Sequence, residues 1–161
     1  MTAEPHQPAD TEEDPAPLTL YLVKRLELVI RALLDERLRE LGLTTPQYTA
    51  LSVLHRRSPL SSAQLARRSF VRPQSMHEMV LALEERGLIE RHRDAGNRRV
   101  LLARLTQQGE ELLARCQPVV AELESHLLGG MGPRRRAEFR RMLDHGYRSL
   151  AGLAHDALPI E

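Results

Sequence analysis

The chain has 161 residues and is predicted to form one folded unit or two small joined ones, which excludes a large multidomain protein. Hydrophobic residues make up 42% and aromatic residues only 3%, so a core of aliphatic side chains is expected. The formal net charge is +1, and this total taken alone argues against a nucleic-acid-binding protein.

The small net charge hides an uneven distribution along the chain. Residues 1–17 contain five acidic and no basic residues, and we expect this Pro-rich segment to be a disordered acidic tail. Residues 55–106 contain eleven arginines and five acidic residues, a net charge of +6, whereas residues 18–54 (+1) and 107–161 (−1) are nearly neutral. The basic excess therefore lies in the middle of the chain.

Several classes of site are not expected from the residues present. The single cysteine, Cys116, excludes an intrachain disulfide and a zinc site built on several cysteines. The seven histidines show no short paired spacing, so we expect no metal and no cofactor. The sequence has no Gly-rich phosphate loop and no nucleophile motif, and an enzyme is therefore not expected. No apolar run approaches the roughly 18 residues of a membrane span, so we expect a cytoplasmic protein without a membrane partner.

A first helix is predicted from Leu18 to Leu41, a stretch without Gly or Pro that ends before Gly42. Its apolar residues cover too wide a face for a helix that packs on one side only. We therefore expect this helix to contact both its own chain and a second partner.

Three further helices follow in the middle of the chain. Thr45 is the predicted N-cap of the second helix, which runs to about Arg57. A short third helix opens at Ser61, and a fourth runs from Pro73 to the C-terminal cap at Gly87.

The pattern then changes from helical to extended. A strand near residues 88–92, a turn at 95–97 and a second strand from about residue 99 to 105 predict a two-stranded hairpin. Thr106 is the predicted N-cap of a long fifth helix, and a Gly-rich break separates it from a last amphipathic helix.

This order of elements is typical of a winged helix-turn-helix. The third and fourth helices are the predicted helix pair, the fourth is the candidate recognition helix, and the hairpin is the wing. The predicted fold is mainly α with a small β-hairpin. We assign residues 45–106 to the winged module, and residues 18–44 and 107–155 to a helical dimerisation region.

The winged segment contains three short motifs in a fixed order: LEERGLIER, RDAGNRR and LARLTQQG. With their neighbours, over residues 62–113, these motifs resemble the MarR family of bacterial transcriptional regulators. In weaker form the resemblance extends from residue 18 to about residue 153. One departure lies in the wing, where many members have Asp-Arg and this chain has Asn97-Arg98.

The resemblance implies a homodimer in which the first helix and the last two helices of each chain interlock. It also implies a repressor that a small, often aromatic, ligand or cysteine oxidation releases from double-stranded DNA. We predict a dimer that binds a pseudo-palindromic operator with half-sites about one helical turn apart. An alternative interpretation is a helical interaction module whose winged domain docks a protein partner.

The candidate DNA contacts fall into three groups. Arginines of the third helix and the following turn are predicted to bind phosphate, and exposed polar residues at the start of the fourth helix are predicted to read bases. Arginines around the hairpin are the predicted wing contacts, one of them inserted into the minor groove. The alternative for the arginines is an ordinary solvated surface. The predicted DNA-binding residues are Arg67, Arg68, Arg72, Gln74, Ser75, His77, Glu78, Arg91, Arg93, Arg98 and Arg99.

Cys116 lies on the apolar face of the fifth helix, and we interpret it as a buried small hydrophobic residue rather than a redox switch. A ligand pocket is expected between the dimer helices and the winged module, lined by the first, second and fifth helices. Tyr21, Tyr48 and His55 lie in that region, but the sequence assigns none of them to a ligand.

Overall fold

The computed structural model describes residues 18–151 and residue 153 of the chain. These residues form six helices and a three-stranded antiparallel sheet. The helices are α1 (Thr19–Arg39), α2 (Thr45–Arg57), α3 (Ser62–Arg68), α4 (Pro73–Glu85), α5 (Gln107–Leu127) and α6 (Pro133–Ala151). The strands are β1 (Leu60–Ser61), β2 (Ile89–Arg93) and β3 (Leu101–Leu105). The predicted acidic tail, residues 1–17, lies outside the described residues.

Three helices begin at side-chain caps. Thr44 caps α2 and Ser61 caps α3, each in a reciprocal capping box with a glutamine three residues later. Thr106 caps α5, as the sequence predicts. The predicted cap of α2, Thr45, is instead its first helical residue, and its hydroxyl donates to Asp35 Oδ1 at 2.5 Å.

The predicted two-stranded hairpin is confirmed as β2 and β3, and β1, which the sequence did not predict, adds a third strand to the sheet. The central strand β3 pairs with β2, where Ile89 lies opposite Leu105, and with β1, where Leu60 lies opposite Ala103. With two residues, β1 is too short to show the alternation by which a strand is recognised in a sequence. The added strand joins the start of α3 to the wing.

An aliphatic core lies inside the winged module and extends to the end of α1 and the start of α5. Its fully buried side chains are all aliphatic or sulfur-containing, as the low aromatic content predicts, and each large one contributes about 1.5–3 kcal/mol of burial. The largest are Leu38, Leu51, Leu54, Leu65, Met76, Val80, Leu83, Ile89 and Cys116.

Gly109 allows α5 to approach the winged module closely. A Cβ at this position would lie 2.1 Å from the carbonyl oxygen of Leu88, a distance that real side chains do not adopt. The Thr106 N–H donates to the same carbonyl at 3.1 Å, and the Thr106 hydroxyl donates to the Gly87 carbonyl at 2.6 Å. The LTQQG segment therefore fixes the first turn of α5 against the start of β2.

The apolar faces of α1 and α6 are largely exposed in the single chain. Only Leu38 of α1 is buried, and only Ala151 among the described residues of α6. Amphipathic helices owe most of their stability to packing of the apolar face, so these faces are suited to pack against a partner. The exposed apolar residues are Leu20, Tyr21, Leu22, Val23, Leu28, Val29 and Leu33 on α1, and Met142, Leu143 and Leu150 on α6.

Candidate nucleic-acid interface

The turn between α3 and α4 has an unusual backbone conformation. The Val71 N–H donates to the Ala66 carbonyl at 3.1 Å across the turn. Phe70, just before Val71, has a φ of +56°, which is rare for a bulky residue. Phe70 is 63% exposed, and its ring meets the Tyr147 ring edge-on, with the centroids 6.3 Å apart. The sequence does not single out Phe70, because its residue type gives no signal for a positive φ.

The inward face of α4 determines which of its residues point outward. Met76, Val80 and Leu83 are buried in the core, and the 3.6-residue period leaves the intervening positions for solvent. The exposed residues of the first two turns include all four predicted base-reading residues: Gln74, Ser75, His77 and Glu78.

The start of α4 differs from the starts of α2, α3 and α5 because no side chain caps it. Its N-cap is Arg72, and Pro73 follows within the first turn, where a missing N–H removes no helical hydrogen bond. The first turn contains no acidic residue. The uncapped N–H groups and the positive end of the helix dipole are therefore available to an anion such as a DNA phosphate.

The three predicted phosphate contacts lie at the two ends of the turn that leads into α4. Arg67 and Arg68 are in the last turn of α3, and Arg72 is at the N-cap of α4. Arg67 and Arg72 are exposed, and Arg68 is half-buried. Positive charge thus flanks the uncapped helix start.

The wing loop, residues 94–100, is held by hydrogen bonds of its own. The Asp94 N–H donates to the Val100 carbonyl at 3.0 Å, and the Val100 N–H donates to the Asn97 carbonyl at 2.8 Å. The Arg99 N–H donates to Asn97 Oδ1 at 3.2 Å, so the Asn97 side chain stabilises the turn predicted at 95–97. The loop extends to Val100, and β3 begins two residues later than predicted.

Three arginines of the wing have different surroundings. Arg93 Nη1 donates to the backbone carbonyl of Arg98 at 3.1 Å and supports the loop. The side chains of Arg98 and Arg99 are exposed, and neither guanidinium group has a hydrogen-bond or ion-pair partner within the described part of the chain. Two unpaired guanidinium groups on a supported loop are suited to contact phosphate or enter a minor groove.

Arg91, also predicted to contact DNA, is engaged within the fold. Its Nε and Nη2 donate to Glu84 Oε2 at 2.9 and 2.5 Å, and its side chain is only 16% exposed. The hydrogen bond from Arg91 lowers the pKa of Glu84 below its ordinary value. The pair joins β2 to the last turn of α4, and a DNA contact by Arg91 would require this pair to open.

Two grooves lie away from this surface. An apolar groove of about 620 Å³, the α1–α5 groove, runs between α1 and α5 and includes Val29, Leu33 and Leu123. A smaller cleft of about 300 Å³, the Arg86–Arg115 cleft, lies between the loop after α1, the end of α4 and the start of α5. Neither the groove nor the cleft is lined by residues of α2, although the sequence predicts that α2 lines the ligand pocket.

Residues 18–151 contain no group of three His, Cys, Asp or Glu side chains placed to hold a metal ion. None of the helices in this part of the chain is long and apolar enough to cross a bilayer.

The chain is similar to known proteins over most of its length. A family profile described as MarR family matches residues 41–100. The HTH-type transcriptional repressor Rv2887 of Mycobacterium tuberculosis is 37% identical over 131 residues, which cover 81% of this chain and 94% of the relative. The chain belongs to the MarR family. The resemblance of the three winged motifs is thereby confirmed, and the chain is a transcriptional regulator rather than an enzyme.

Solved structures of similar chains have the same fold. Rv2887 in complex with salicylic acid is 37% identical with a TM-score of 0.64, and the match covers 82% of this chain and 97% of that one. A MarR-family regulator from Silicibacter pomeroyi is 24% identical with a TM-score of 0.77, covering 90% and 99%. The chain of an S. aureus MepR–DNA complex is 20% identical with a TM-score of 0.73, covering 82% and 98%. The predicted winged helix-turn-helix fold is confirmed.

Proposed function

We propose that this MarR-family chain is a dimeric repressor that binds a pseudo-palindromic operator and is released by a small aromatic acid. The observation that carries the proposal is the uncapped start of α4, with exposed polar side chains, beside a wing with two arginines that have no partner among the described residues. Residues 45–106 are the DNA-binding module in this assignment, and residues 18–44 and 107–155 form the dimer. The repressor acts in the cytoplasm, where a bacterial chromosome lies.

The winged module offers DNA two different contacts. The first turn of α4 enters the major groove, where Gln74, Ser75, His77 and Glu78 reach base edges while Arg67, Arg68 and Arg72 bind the flanking phosphates. Arg98 and Arg99 extend from the wing to the adjacent minor groove. Arg93 supports the wing loop, and Arg91 holds β2 against α4.

The exposed faces of the terminal helices support the dimer. The α1–α5 groove is apolar and open, and Val29 in its lining is 56% exposed. A second copy supplies apolar faces of the same kind, and two copies related by a two-fold axis present two recognition helices to half-sites about 34–36 Å apart.

The effector class comes from the 37% identical relative, whose solved structure contains salicylic acid. We assign the same chemical class, a single-ring aromatic acid, to this chain. Such a ligand releases DNA only if it binds more tightly to a conformation that fits the operator poorly.

The test is the selection of bound sequences from a random DNA pool, followed by mobility shifts with the DNA upstream of the gene. A pseudo-palindromic site should be enriched, and its affinity should fall by about 10³–10⁵ between low and moderate salt because most contacts are to phosphate. Binding that is absent at low salt, or equal for all sequences, would contradict the proposal. A protein partner retained after nuclease treatment, without DNA binding, would favour the docking alternative.

A further inference from the structure

An aromatic contact joins the turn between α3 and α4 to the last helix. The rings of Phe70 and Tyr147 meet at an interplanar angle of 81° with their centroids 6.3 Å apart, an edge-to-face geometry that aromatic pairs favour. Phe70 lies in the winged module, whereas Tyr147 lies in the second half of α6. The contact therefore links the part of the chain assigned to DNA binding to a helix assigned to the dimer.

The conformation of this turn is unfavourable for the segment by itself. Phe70 has a φ of +56°, in the left-handed region that bulky residues avoid. Ser69, just before it, is buried, and its hydroxyl has no hydrogen-bond partner among the described residues. Backbone conformations of this kind persist only where the surrounding structure holds them. The hydrogen bond from the Val71 N–H to the Ala66 carbonyl is one such restraint, and the ring contact with α6 is a second.

The turn is joined to the recognition helix by a short and stiff connection. Two residues, Val71 and Arg72, separate Phe70 from the first helical residue of α4, Pro73. Val71 packs against the core of the module. Arg72 has an extended backbone, with φ −62° and ψ 143°, and the proline after it disfavours the helical alternative. A displacement of Phe70 is therefore passed to the start of α4.

α6 is placed to hold the turn. In its first half, Arg140 Nη2 donates to Glu124 Oε1 of α5 at 2.7 Å. Ala151, four residues after Tyr147 and so on the same side of the helix, is 5% exposed. Met142 lies five residues before Tyr147, about 140° around the helix, and is 59% exposed. One side of α6 thus faces the turn of its own chain, and another side is open to a second copy.

We propose that Phe70 and Tyr147 are positioning residues, and that through their contact α6 holds the turn in the conformation that presents α4 to the operator. Neither side chain touches a base or a phosphate in this role. The proposal rests on the proposed function, because its effect on DNA passes through α4. Since α6 also belongs to the proposed dimer, this contact links dimer formation to the placement of the recognition helix.

The first test is a double-mutant cycle on operator binding by the full-length protein, with sedimentation to check the dimer. Phe70→Leu and Tyr147→Leu should each weaken operator binding by about threefold to tenfold. The double variant should be no weaker than the weaker single variant, because both changes remove the same contact. The salt dependence of binding should stay as in the wild type, because no phosphate contact is lost.

Three further variants separate the ring contact from other effects. Phe70→Tyr keeps the ring on an exposed residue and should bind the operator as the wild type does. Phe70→Gly removes the ring at a residue outside the dimer helices, and glycine adopts the positive φ without strain, so its loss should match that of Phe70→Leu. His145→Leu is the matched control, because it removes a ring from an exposed residue of α6 that lies two positions from Tyr147, on the opposite side of the helix. Its operator affinity should change by less than about twofold.

Hydrogen exchange in the absence of DNA tests the contact independently of the proposed function. Phe70→Leu and Tyr147→Leu should each speed exchange in residues 69–78 by about threefold or more, with little change in α2, and His145→Leu should not. Additive losses in the double variant, wild-type affinity in Phe70→Gly, or unchanged exchange in both leucine variants would overturn the positioning role. Faster exchange in these variants, together with a wild type that binds no operator, would support the contact and overturn the proposed function instead.

Discussion

The winged module and the terminal helices differ in how they bury their apolar residues. Within the module, Leu54, Leu65 and Val80 are completely buried by the same chain. On the terminal helices, Val29 of α1 is 56% exposed and Met142 of α6 is 59% exposed. The module completes its own core, whereas the terminal helices leave apolar faces open in the single chain. The proposed function accordingly assigns DNA binding to the winged module and dimerisation to the terminal helices.

The largest effect is expected from a charge on the exposed apolar face of α1. Val29→Glu should abolish the dimer, because a charge buried without a partner costs several kcal/mol. Operator affinity should then fall about 100-fold or more, since one module contacts only one half-site. Sedimentation and mobility shifts measure the two effects.

The matched control for that change is Ala32→Glu. Ala32 is an exposed residue of the same helix and does not line the α1–α5 groove. The Ala32→Glu protein should remain dimeric and bind the operator. A stable dimer in the Val29→Glu protein would show that α1 does not form the interface.

The next effect is confined to the winged module. Arg98→Ala should weaken operator binding by about tenfold to 100-fold and reduce its salt dependence, with the dimer intact. Arg104→Ala is the control, because Arg104 is an exposed arginine of β3 whose Nε pairs with Glu90 Oε1 at 2.6 Å. Its removal should change affinity by less than about threefold. If Arg98→Ala dissociates the dimer, that arginine belongs to the fold rather than to the DNA surface.

Arg91 should behave differently from Arg98, because it supports the module instead of facing outward. Arg91→Gln should lower the free energy of unfolding by about 1 kcal/mol, since the pair with Glu84 is only partly buried. Arg91 holds the pKa of Glu84 below 4.5 in the folded state. The ion pair therefore stabilises the folded state fully at pH values well above 4.5. This stabilisation is lost as the pH falls through the lowered pKa of Glu84.

Urea unfolding at neutral pH and at about pH 3 checks this prediction. The difference in stability between wild type and Arg91→Gln should shrink at the lower pH. Glu84→Gln should cost a similar amount at neutral pH, and the double variant should not be additive. A difference independent of pH would mean that the side-chain stem of Arg91, rather than its ion pair, stabilises the module.

Contacts within a few residues of sequence explain which helix starts could be predicted. Ser61 and Thr106 are recognisable caps because the groups that they bind lie three residues away. The same rule also identifies the cap of α2, once the residue three positions after each candidate threonine is compared. Gln47 lies three residues after Thr44, and this capping-box spacing distinguishes Thr44 from Thr45.

Contacts between distant residues explain what the sequence did not show. Leu60 and Ser61 form a strand only because β3 lies beside them. Arg91 follows the buried Ile89 by two residues, so the period of a strand directs both side chains to the same face, toward α4. That signal was present in the sequence, but the partner Glu84 lies on another element and is identified only by the fold.

The smallest effect is expected at Cys116, where the buried core of the module continues into α5. The side chain has no exposed surface, and burial raises the pKa of its thiol. Because the thiolate is the reactive form, the native protein should resist N-ethylmaleimide, and peroxide should leave operator binding unchanged. Mass spectrometry of native protein and of protein in denaturing urea, where this single cysteine should react completely, checks the prediction. Rapid labelling of the native dimer, or release of DNA by peroxide, would show that α5 opens at this position and that the core of the module is not closed there.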